Sequence, residues 1–245
     1  MNYPRVRLYV EQALGEGQTI PLSRDQAHYL FGVMRLNLQD SVLVFDGCNG
    51  EWRADILEVG KRRGLLAVVE KTGPQQDPPD LWLIFAPIKK ARTDFIVEKA
   101  AEMGAARIMP VQTEFTNSER IRRDRLQAHA VEAAEQCGGT FVPEVMGLQK
   151  LDAVLDNWPE GRNLMFCDEA LAGRSSGLTA SLAGRGNAKW AILIGPEGGF
   201  AERERGRLAA LGAAHAVSLG PRILRADTAV VAAMTVWQQA YGDWT

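Results

Sequence analysis

Cysteine and histidine are scarce in this sequence, and their scarcity limits the kinds of site it can build. The 245 residues contain three of each, spread far apart: Cys48, Cys137, Cys167, His28, His129 and His215. An odd number of distant cysteines matches neither a disulfide framework nor the spacing of zinc ligands. The histidines form no HExxH-like pattern. We therefore expect no disulfide framework and no protein-bound metal.

Long hydrophobic runs are also missing. No stretch approaches the ~18 consecutive apolar residues of a membrane span. The opening MNYPRVRLYV lacks the apolar core of a signal peptide. Hydrophobic residues nevertheless make up 46% of the chain, enough for a sizeable core and too many for a disordered protein. The sequence predicts a folded cytoplasmic protein that does not enter a membrane.

A strong excess of charge of either sign is absent too. The formal net charge of −2 does not indicate a nucleic-acid-binding protein. Basic residues are nevertheless concentrated in three short clusters: Lys61–Arg63, Lys89–Arg92 and Arg120–Arg125. Each cluster is consistent with ordinary solvated surface. Together they are also consistent with a stripe that faces phosphates.

The first part of the chain is predicted to consist mostly of strands. SVLVFDG, WRADILEVG and GLLAVVE are short apolar segments separated by turn-prone residues. One helix interrupts them, because Ser23 and Gln26 form a capping-box pattern. Its buried face is predicted at helical spacing: Ala27, Leu30, Phe31 and Met34. The pattern indicates a small β-barrel with one helix.

A proline-rich segment, TGPQQDPPD at residues 72–80, separates this part from the rest. We predict a domain boundary there, with domains at 1–73 and 74–245. Beyond it, buried-type strands such as LWLIFAP alternate with helical segments such as TDFIVEKAAEMG. This alternation predicts an α/β domain with a largely parallel sheet.

Two loops rich in glycine and proline follow two of these strands, at Ile194–Phe200 and Leu219–Arg225. Ligands of open α/β sheets bind beyond the carboxyl ends of the strands, and glycine there exposes backbone N–H groups. The loops match neither the GxGxxG fingerprint of dehydrogenases nor a P-loop. The residues alone predict a pocket lined by backbone, without naming its ligand. Ordinary strand-to-helix turns are the alternative.

The two loops also carry a family resemblance. LIGPEGGF, followed after a short helix and strand by LGPRILRADTA, closely resembles the signature of the 16S ribosomal RNA (uridine-N3)-methyltransferases of the SPOUT superfamily. FDG near residue 46, EKAAEMGA and AAEQCGGTFVPEV look like further pieces of that family. The resemblance covers the whole chain.

This resemblance implies an architecture, a cofactor and a reaction. The expected fold is α/β: a small N-terminal PUA-like β-barrel, then a SPOUT domain with a deep C-terminal trefoil knot, a rare exception to the usual fold rules. The family further implies a homodimer that binds S-adenosylmethionine. The implied reaction is methylation of N3 of a uridine in 16S ribosomal RNA or the small ribosomal subunit.

Cofactor residues are carried over from the family motifs onto matching positions of this chain. They are Phe166, Ile194, Gly195, Pro196, Glu197, Gly198, Gly199, Leu219, Gly220, Pro221, Ile223, Leu224, Arg225 and Ala229. Cys167 and Asp168 follow Phe166 at the end of a strand and are candidates for a third wall. For Asp168 and Glu169, a plain role at a turn or helix start is the alternative.

The reaction suggests catalytic candidates. The N3 proton must leave, so the site needs a proton acceptor and a positive group near O2 or O4. Arg225 suits the positive role, since its guanidinium stays charged; a surface salt bridge is the alternative. Asp227 and Glu197 are candidates for the base, or they only hold Arg225 and the loops. The family commonly has Thr-Glu-Thr at Ala226–Thr228, and the shorter Asp227 weakens the case for a direct base.

N3 lies on the pairing edge, so the target base must be unpaired or flipped out. The expected RNA contacts are Arg5, Arg7, Lys61, Arg62, Arg63, Arg120, Arg122, Arg123 and Arg125. Gly139-Thr140 replace the arginine that usually follows EQCG, so one phosphate contact is missing. Ala201 stands where a capping Ser or Thr is common.

Besides a nucleotide-binding dehydrogenase, the weakest rival because the fingerprint and its ribose-binding acid are missing, two other functions compete with this interpretation. One is a SPOUT enzyme with another target, such as a ribose 2′-hydroxyl of transfer RNA; the barrel-first order and the LGPRILR run argue against it. The other is a non-catalytic RNA-binding or ribosome-assembly protein on the same scaffold. Binding of S-adenosylmethionine separates the second from an enzyme.

Overall fold

The computed structural model describes residues 4–117, 120–173 and 189–244, and the chain forms two units. By its contacts, the first unit comprises Met1–Asp77 and Ala134–Val142, and the second comprises Pro78–Ala133 and Pro143–Thr245. A short segment from the middle of the chain thus belongs with the first unit, which no linker pattern indicates. The boundary after residue 73 stays a prediction.

The first unit is built on a five-stranded sheet in the order β1-β3-β4-β5-β2. Its strands are β1 (Arg7–Tyr9), β2 (Thr19–Pro21), β3 (Ser41–Phe45), β4 (Glu51–Val59) and β5 (Gly64–Gly73). β1 pairs with β3 in parallel, and the other pairings are antiparallel. The pairing of β4 with β5 is interrupted by register shifts, which bend and twist strands locally. The three strands predicted here are confirmed.

The helix predicted in this unit begins as expected but continues as a π-helix. The Gln26 backbone N–H donates to Ser23 Oγ over 3.2 Å, and the Ser23 N–H donates to Gln26 Oε1 over 2.9 Å. This capping box starts α1 (Arg24–Ala27), which continues as a π-helix over His28–Val33. The wider π turn rotates the apolar face. Met34, predicted to lie on that face, is therefore 41% exposed.

The FDG segment forms a carboxylate-centred turn after β3. The Asp46 carboxylate accepts hydrogen bonds from the backbone N–H groups of Leu14, Cys48 and Asn49 and from the Asn49 amide, at 2.6–2.9 Å. Burial opposes ionisation of this group. The hydrogen bonds outweigh that effect and lower the pKa of Asp46. An ionised Asp46 thus fixes this turn.

The second unit is an α/β fold with a parallel sheet, as predicted. Its strand order is β12-β10-β11-β6-β7-β8, with β9 paired to β7, and each of these pairings is parallel. The strands are β6 (Leu81–Phe85), β7 (Arg107–Gln112), β8 (Glu144–Val145), β9 (Gln149–Lys150), β10 (Arg162–Cys167), β11 (Lys189–Ile194) and β12 (Ala214–Val217). The central strand β11 is buried over Trp190–Ile194, which explains its continuous apolar sequence.

Helices follow the strands of this unit. They are α2 (Lys90–Glu102), α3 (Arg123–Cys137), α4 (Leu151–Asp156), α5 (Glu202–Ala210) and α6 (Ala226–Tyr241). Gly104 and Gly138 follow α2 and α3 with φ of +77° and +82°, and glycine is the residue that adopts this conformation most readily. No helix within the described ranges is long and apolar enough to span a membrane.

Arg7 has a structural role that the sequence did not indicate. Its guanidinium donates to a Glu51 carboxylate oxygen over 2.8 Å and to the backbone oxygens of Ala134, Glu135 and Gly139 over 2.8–3.1 Å. The side chain is only 11% exposed. Arg7 thus ties β1 to the segment Ala134–Val142 within the first unit. Its predicted contact with RNA is not favoured by this geometry.

We expect Arg7→Ala to lower the free energy of unfolding by about 2–3 kcal/mol, because several hydrogen bonds to a charged group are lost. Urea-induced unfolding followed by circular dichroism measures this change. Arg5→Ala is the matched control, since Arg5 is exposed, and its midpoint should stay unchanged. Equal midpoints for the two variants would contradict the structural role of Arg7.

Candidate functional site

A cleft opens at the carboxyl ends of β10, β11 and β12. Both predicted loops reach it. The predicted cofactor residues that line it are Ile194, Gly195, Pro196, Glu197, Gly199, Leu219, Gly220, Ile223, Leu224 and Ala229. The two loops thus form one site.

Glycine is favoured at two positions of the loop after β11, at Gly199 by backbone conformation and at Gly195 by tight packing. The Gly199 N–H donates to the Pro196 carbonyl oxygen over 2.9 Å and closes a turn. Gly199 has a φ of +72°, and a Cβ there would lie 1.8 Å from Glu169 Oε1. A Cβ on Gly195 would lie 3.1 Å from the Phe200 ring. Glycine at these positions therefore lets the loop close against its neighbours.

The loop after β12 supplies the opposite wall. The Gly220 N–H donates to Ser218 Oγ over 3.3 Å, and the Gly220 carbonyl oxygen accepts from the Gly173 N–H over 3.3 Å. Gly220 has a φ of +112°. Ile223 follows with 74% of its surface exposed and lines the cleft. The wall thus combines backbone with one apolar side chain available to a ligand.

The end of β10 forms a third wall, and both roles considered for Asp168 are present. Its carboxylate accepts from the Ala170 N–H over 3.1 Å and so caps a short 3-10 helix, Glu169–Leu171. The same carboxylate lies 3.1 Å from Arg205 Nε of α5, and Arg205 also pairs with Glu169. Asp168 and Glu169 both line the cleft. Arg205 therefore holds the Asp168 and Glu169 carboxylates at the edge of the cleft.

Arg92 connects the two carboxylates that were proposed as bases. Its guanidinium lies 2.9 Å from Glu197 Oε1 and 3.7 Å from Asp227 Oδ2. The sequence showed Arg92 only as part of a basic cluster, because more than a hundred positions separate it from either partner. Because α2 follows β6 and β6 pairs with β11, α2 lies beside the loop that carries Glu197. Arg92 is thus a site residue that sequence reasoning missed.

Four predicted cofactor residues do not line the cleft. Phe166 is 4% exposed, and its ring packs edge-on against Phe200 at 6.3 Å. A Cβ on Gly198 would contact Phe115 rather than the cleft. Pro221 and Arg225 are exposed, and Arg225 is the N-cap residue of α6.

The predicted RNA contacts differ in availability. In the first unit, Arg5 and Lys61–Arg63 are exposed. In the second, Arg120 is exposed, and Arg122 pairs with Asp124 at 2.6 Å. Arg123 donates to the Val145 carbonyl oxygen over 2.7 Å while remaining mostly exposed.

A cleft of backbone loops at the carboxyl edge of a parallel α/β sheet defines a small-molecule-binding protein of the α/β class. In the part of the chain that the structure describes, no three His, Cys, Asp or Glu side chains could together hold a metal ion. An organic ligand is the kind that this arrangement suits.

Comparison with known proteins specifies the class further. Residues 75–238 match the family model described as RNA methyltransferase domain, and residues 22–69 match the model described as RNA methyltransferase PUA domain. This protein belongs to the RNA methyltransferase domain family. Its fold is accordingly an N-terminal PUA-like domain followed by a methyltransferase domain.

Individual relatives agree with this assignment. The chain is 28% identical over 93% of both sequences to ribosomal RNA small subunit methyltransferase E of Rickettsia conorii. It is 30% identical to the Synechocystis protein of that name, over 88% of this chain and 71% of the relative. The crystal structure of ribosomal RNA small subunit methyltransferase E from Neisseria gonorrhoeae, bound to S-adenosylmethionine, superposes with a TM-score of 0.85. It is 28% identical, with 98% of this chain and 99% of that chain covered.

The cleft also contains a thiol whose reactivity the structure predicts. Cys167 lines the cleft, and burial raises the pKa of its thiol to about 12. Cys48 and Cys137 are exposed. Because alkylating reagents attack the thiolate, brief iodoacetamide treatment at pH 8 should modify Cys48 and Cys137 and spare Cys167. Intact-protein mass spectrometry counts the adducts.

Treatment in urea is the control, and there all three cysteines should react. Modification of Cys167 in the folded protein at the rate of Cys48 would contradict the prediction.

Proposed function

We propose that this protein is an S-adenosylmethionine-dependent methyltransferase that methylates N3 of a uridine in 16S ribosomal RNA. The observation that carries the proposal is the single cleft in which both glycine loops meet. Full-length relatives of the chain are named as small-subunit ribosomal RNA methyltransferases, and the Neisseria gonorrhoeae relative binds S-adenosylmethionine. These names support the cofactor and the RNA; the uridine N3 position follows from the motif resemblance.

The cleft fits this cofactor in chemistry. Gly195 and Gly199 line the cleft without side chains, so backbone N–H and carbonyl groups there can meet a ligand. Glu169 and Glu197 also line it, and their ion pairs with Arg205 and Arg92 hold them as fixed hydrogen-bond acceptors. When bound, S-adenosylmethionine supplies an activated methyl group on a positively charged sulfur.

The protein must accept the proton that leaves uridine N3. Glu197 is our first candidate, because it lines the cleft and its side chain is half exposed. Asp227 is the second candidate, and it ranks lower because it does not line the cleft. Arg92 lies against both carboxylates and so holds them near each other. We therefore assign proton acceptance to Glu197 or Asp227 and the positioning of both carboxylates to Arg92.

Arg225 is our candidate for stabilising negative charge that develops on the uracil carbonyl oxygens. It is exposed at the start of α6, where its side chain makes no capping hydrogen bond. Among the described residues, its guanidinium has no ion-pair partner. It can therefore turn toward a bound base. Lys61–Arg63 and Arg120–Arg123 are the candidates for phosphate contacts.

Further expectations from the family complete the proposal. We infer a deep trefoil knot at the C-terminal end and a homodimer. Because ribosomal RNA is found in the cytoplasm, we infer that the protein acts there. The domain division at 73/74 belongs to the same proposal.

The product identifies the reaction. We expect small subunits from a strain lacking this protein to lose 3-methyluridine and to regain it on incubation with purified protein and S-adenosylmethionine. Mass spectrometry of nuclease-digested 16S ribosomal RNA measures the base. Persistence of 3-methyluridine in the deletion strain would refute the N3 assignment. Loss of a ribose 2′-O-methyl group from transfer RNA would replace it with the first competing function.

Gly199→Ala should weaken S-adenosylmethionine binding by at least about tenfold, ~1.4 kcal/mol, because the new Cβ meets Glu169 and the residue has a positive φ. Isothermal calorimetry measures the affinity. Gly206→Ala on α5 is the matched control, since a Cβ there meets nothing within 4 Å. No binding by the unmodified protein would instead favour a non-catalytic RNA-binding protein.

Arg225→Ala should abolish turnover while leaving the S-adenosylmethionine dissociation constant within about tenfold, because Arg225 lies outside the cleft wall. Arg24→Ala is the control: Arg24 is an exposed arginine of α1 outside the cleft and is assigned no role, so its turnover should stay unchanged. Single-turnover methylation assays measure both variants. Full activity of Arg225→Ala would show that the catalytic assignment is wrong.

A further inference from the structure

The Pro196–Glu197 segment lines two cavities. One is the cleft between the glycine loops. The other is a second pocket, which both residues line together with Pro87, Ile88, Lys89, Lys90, Phe115 and Asn117. Two residues are therefore shared by the walls of two neighbouring binding spaces within the second unit.

The second pocket adjoins a strongly basic cleft. Ile88 and Lys90 line both, and the basic cleft adds Thr93, Arg120, Ile121, Arg122, Arg125 and Leu126. Two of its arginines are neutralised, Arg125 by Asp94 and Arg122 by Asp124, each at 2.6 Å. Lys89, Lys90 and Arg120 have no carboxylate partner in the described ranges. Their uncompensated positive charge suits a phosphate.

Phe115 gives the second pocket an aromatic surface. The side chain is 44% exposed, although single exposed apolar residues are common. Its position is what distinguishes it, because a Cβ on Gly198 would lie only 3.1 Å from Phe115 Cβ. Phe115 thus packs against the loop that lines both cavities. Exposed aromatic rings bind unstacked bases in single-stranded RNA.

Asn117 adds the polar group that an aromatic surface lacks. A primary amide offers both donors and an acceptor, which complements the carbonyl and N–H pattern of an imide edge. Glu197 lines the same pocket and can accept a proton. Basic, aromatic, amide and carboxylate groups together match a pyrimidine nucleotide with its phosphate.

We propose that the second pocket holds the target uridine, with the base on Phe115 and its phosphates at Lys89, Lys90 and Arg120. The proposal rests on the methyltransferase function proposed above. The uridine N3–H bond breaks and its proton passes to the Glu197 carboxylate. The N3 electron pair forms the bond to the methyl carbon, and the carbon–sulfur bond breaks with its pair left on the donor's sulfur. Donor and acceptor meet at the edge of the Pro196–Glu197 segment.

Phe115→Ala tests the aromatic contact. We expect at least tenfold weaker binding of a uridine-containing stem-loop from 16S ribosomal RNA, because stacking contributes about 1–3 kcal/mol per base. Fluorescence anisotropy measures this affinity and does not require turnover. Phe115→Tyr should restore binding, since it keeps the ring. Phe95→Ala is the matched control: Phe95 is a comparably exposed aromatic, at 38%, on α2, and its loss should leave binding unchanged.

Calorimetry with S-adenosylmethionine distinguishes substrate contact from support of the loop. The dissociation constant of Phe115→Ala for the cofactor should stay within twofold of the unmodified protein. Unchanged RNA affinity in Phe115→Ala, or a loss of cofactor binding as large as the loss of RNA binding, overturns the proposal.

Lys90→Glu tests the phosphate contact. We expect a smaller dependence of RNA affinity on salt, with the log–log slope reduced by about one. Lys150→Glu is the matched control, since Lys150 is an exposed lysine outside both pockets. Equal slopes for the two variants would overturn the phosphate assignment.

Different experimental results would refute the uridine pocket and the proposed reaction. If the unmodified protein binds RNA but leaves N3 of uridine unmethylated, the reaction is wrong, while a selective effect of Phe115→Ala on RNA affinity still supports the pocket. If N3 is methylated and Phe115→Ala retains full RNA affinity, the reaction stands and the pocket is wrong.

Discussion

The level at which three parallel strands end is the constraint on which the site depends. Cys167 of β10 pairs with Ile194 of β11 and with Val217 of β12, so the chain leaves the sheet three times at the same height. A shift of one strand by a single residue would turn its side chains to the other face and displace its loop. Burial prevents such a shift, because Leu164 and Ile192 are fully enclosed. The cleft is thus a product of core packing.

Local signals in the sequence predicted the parts of the fold that depend on neighbouring residues. The Ser23 capping box and the alternation of strands and helices both act within a few positions. The glycine loops were found for the same reason, since positive φ and close approach select glycine at fixed points. Their shared ligand could be named only from the family resemblance, because a pocket wall made of backbone has no characteristic side chains in the sequence.

The features that were missed depend on contacts between distant residues. Arg92 reaches Glu197 only because α2 follows β6, and β6 pairs with β11. Arg7 looked like a surface cation, yet the end of α3 and the residues after it enclose it. The π-helix turned Met34 outward against the expected periodicity. In each case the residue type was informative, but its partner could be known only from the tertiary fold.

Proline in a segment shared by two cavities has a mechanical meaning. Pro196 has no N–H to donate and a nearly fixed φ, so the backbone that presents Glu197 is stiff. Because Pro196 and Glu197 line both the cleft and the second pocket, a change in the shape of this segment alters both cavities at once. The two spaces therefore keep a fixed relation to each other, and a substitution that loosens the segment disturbs them together.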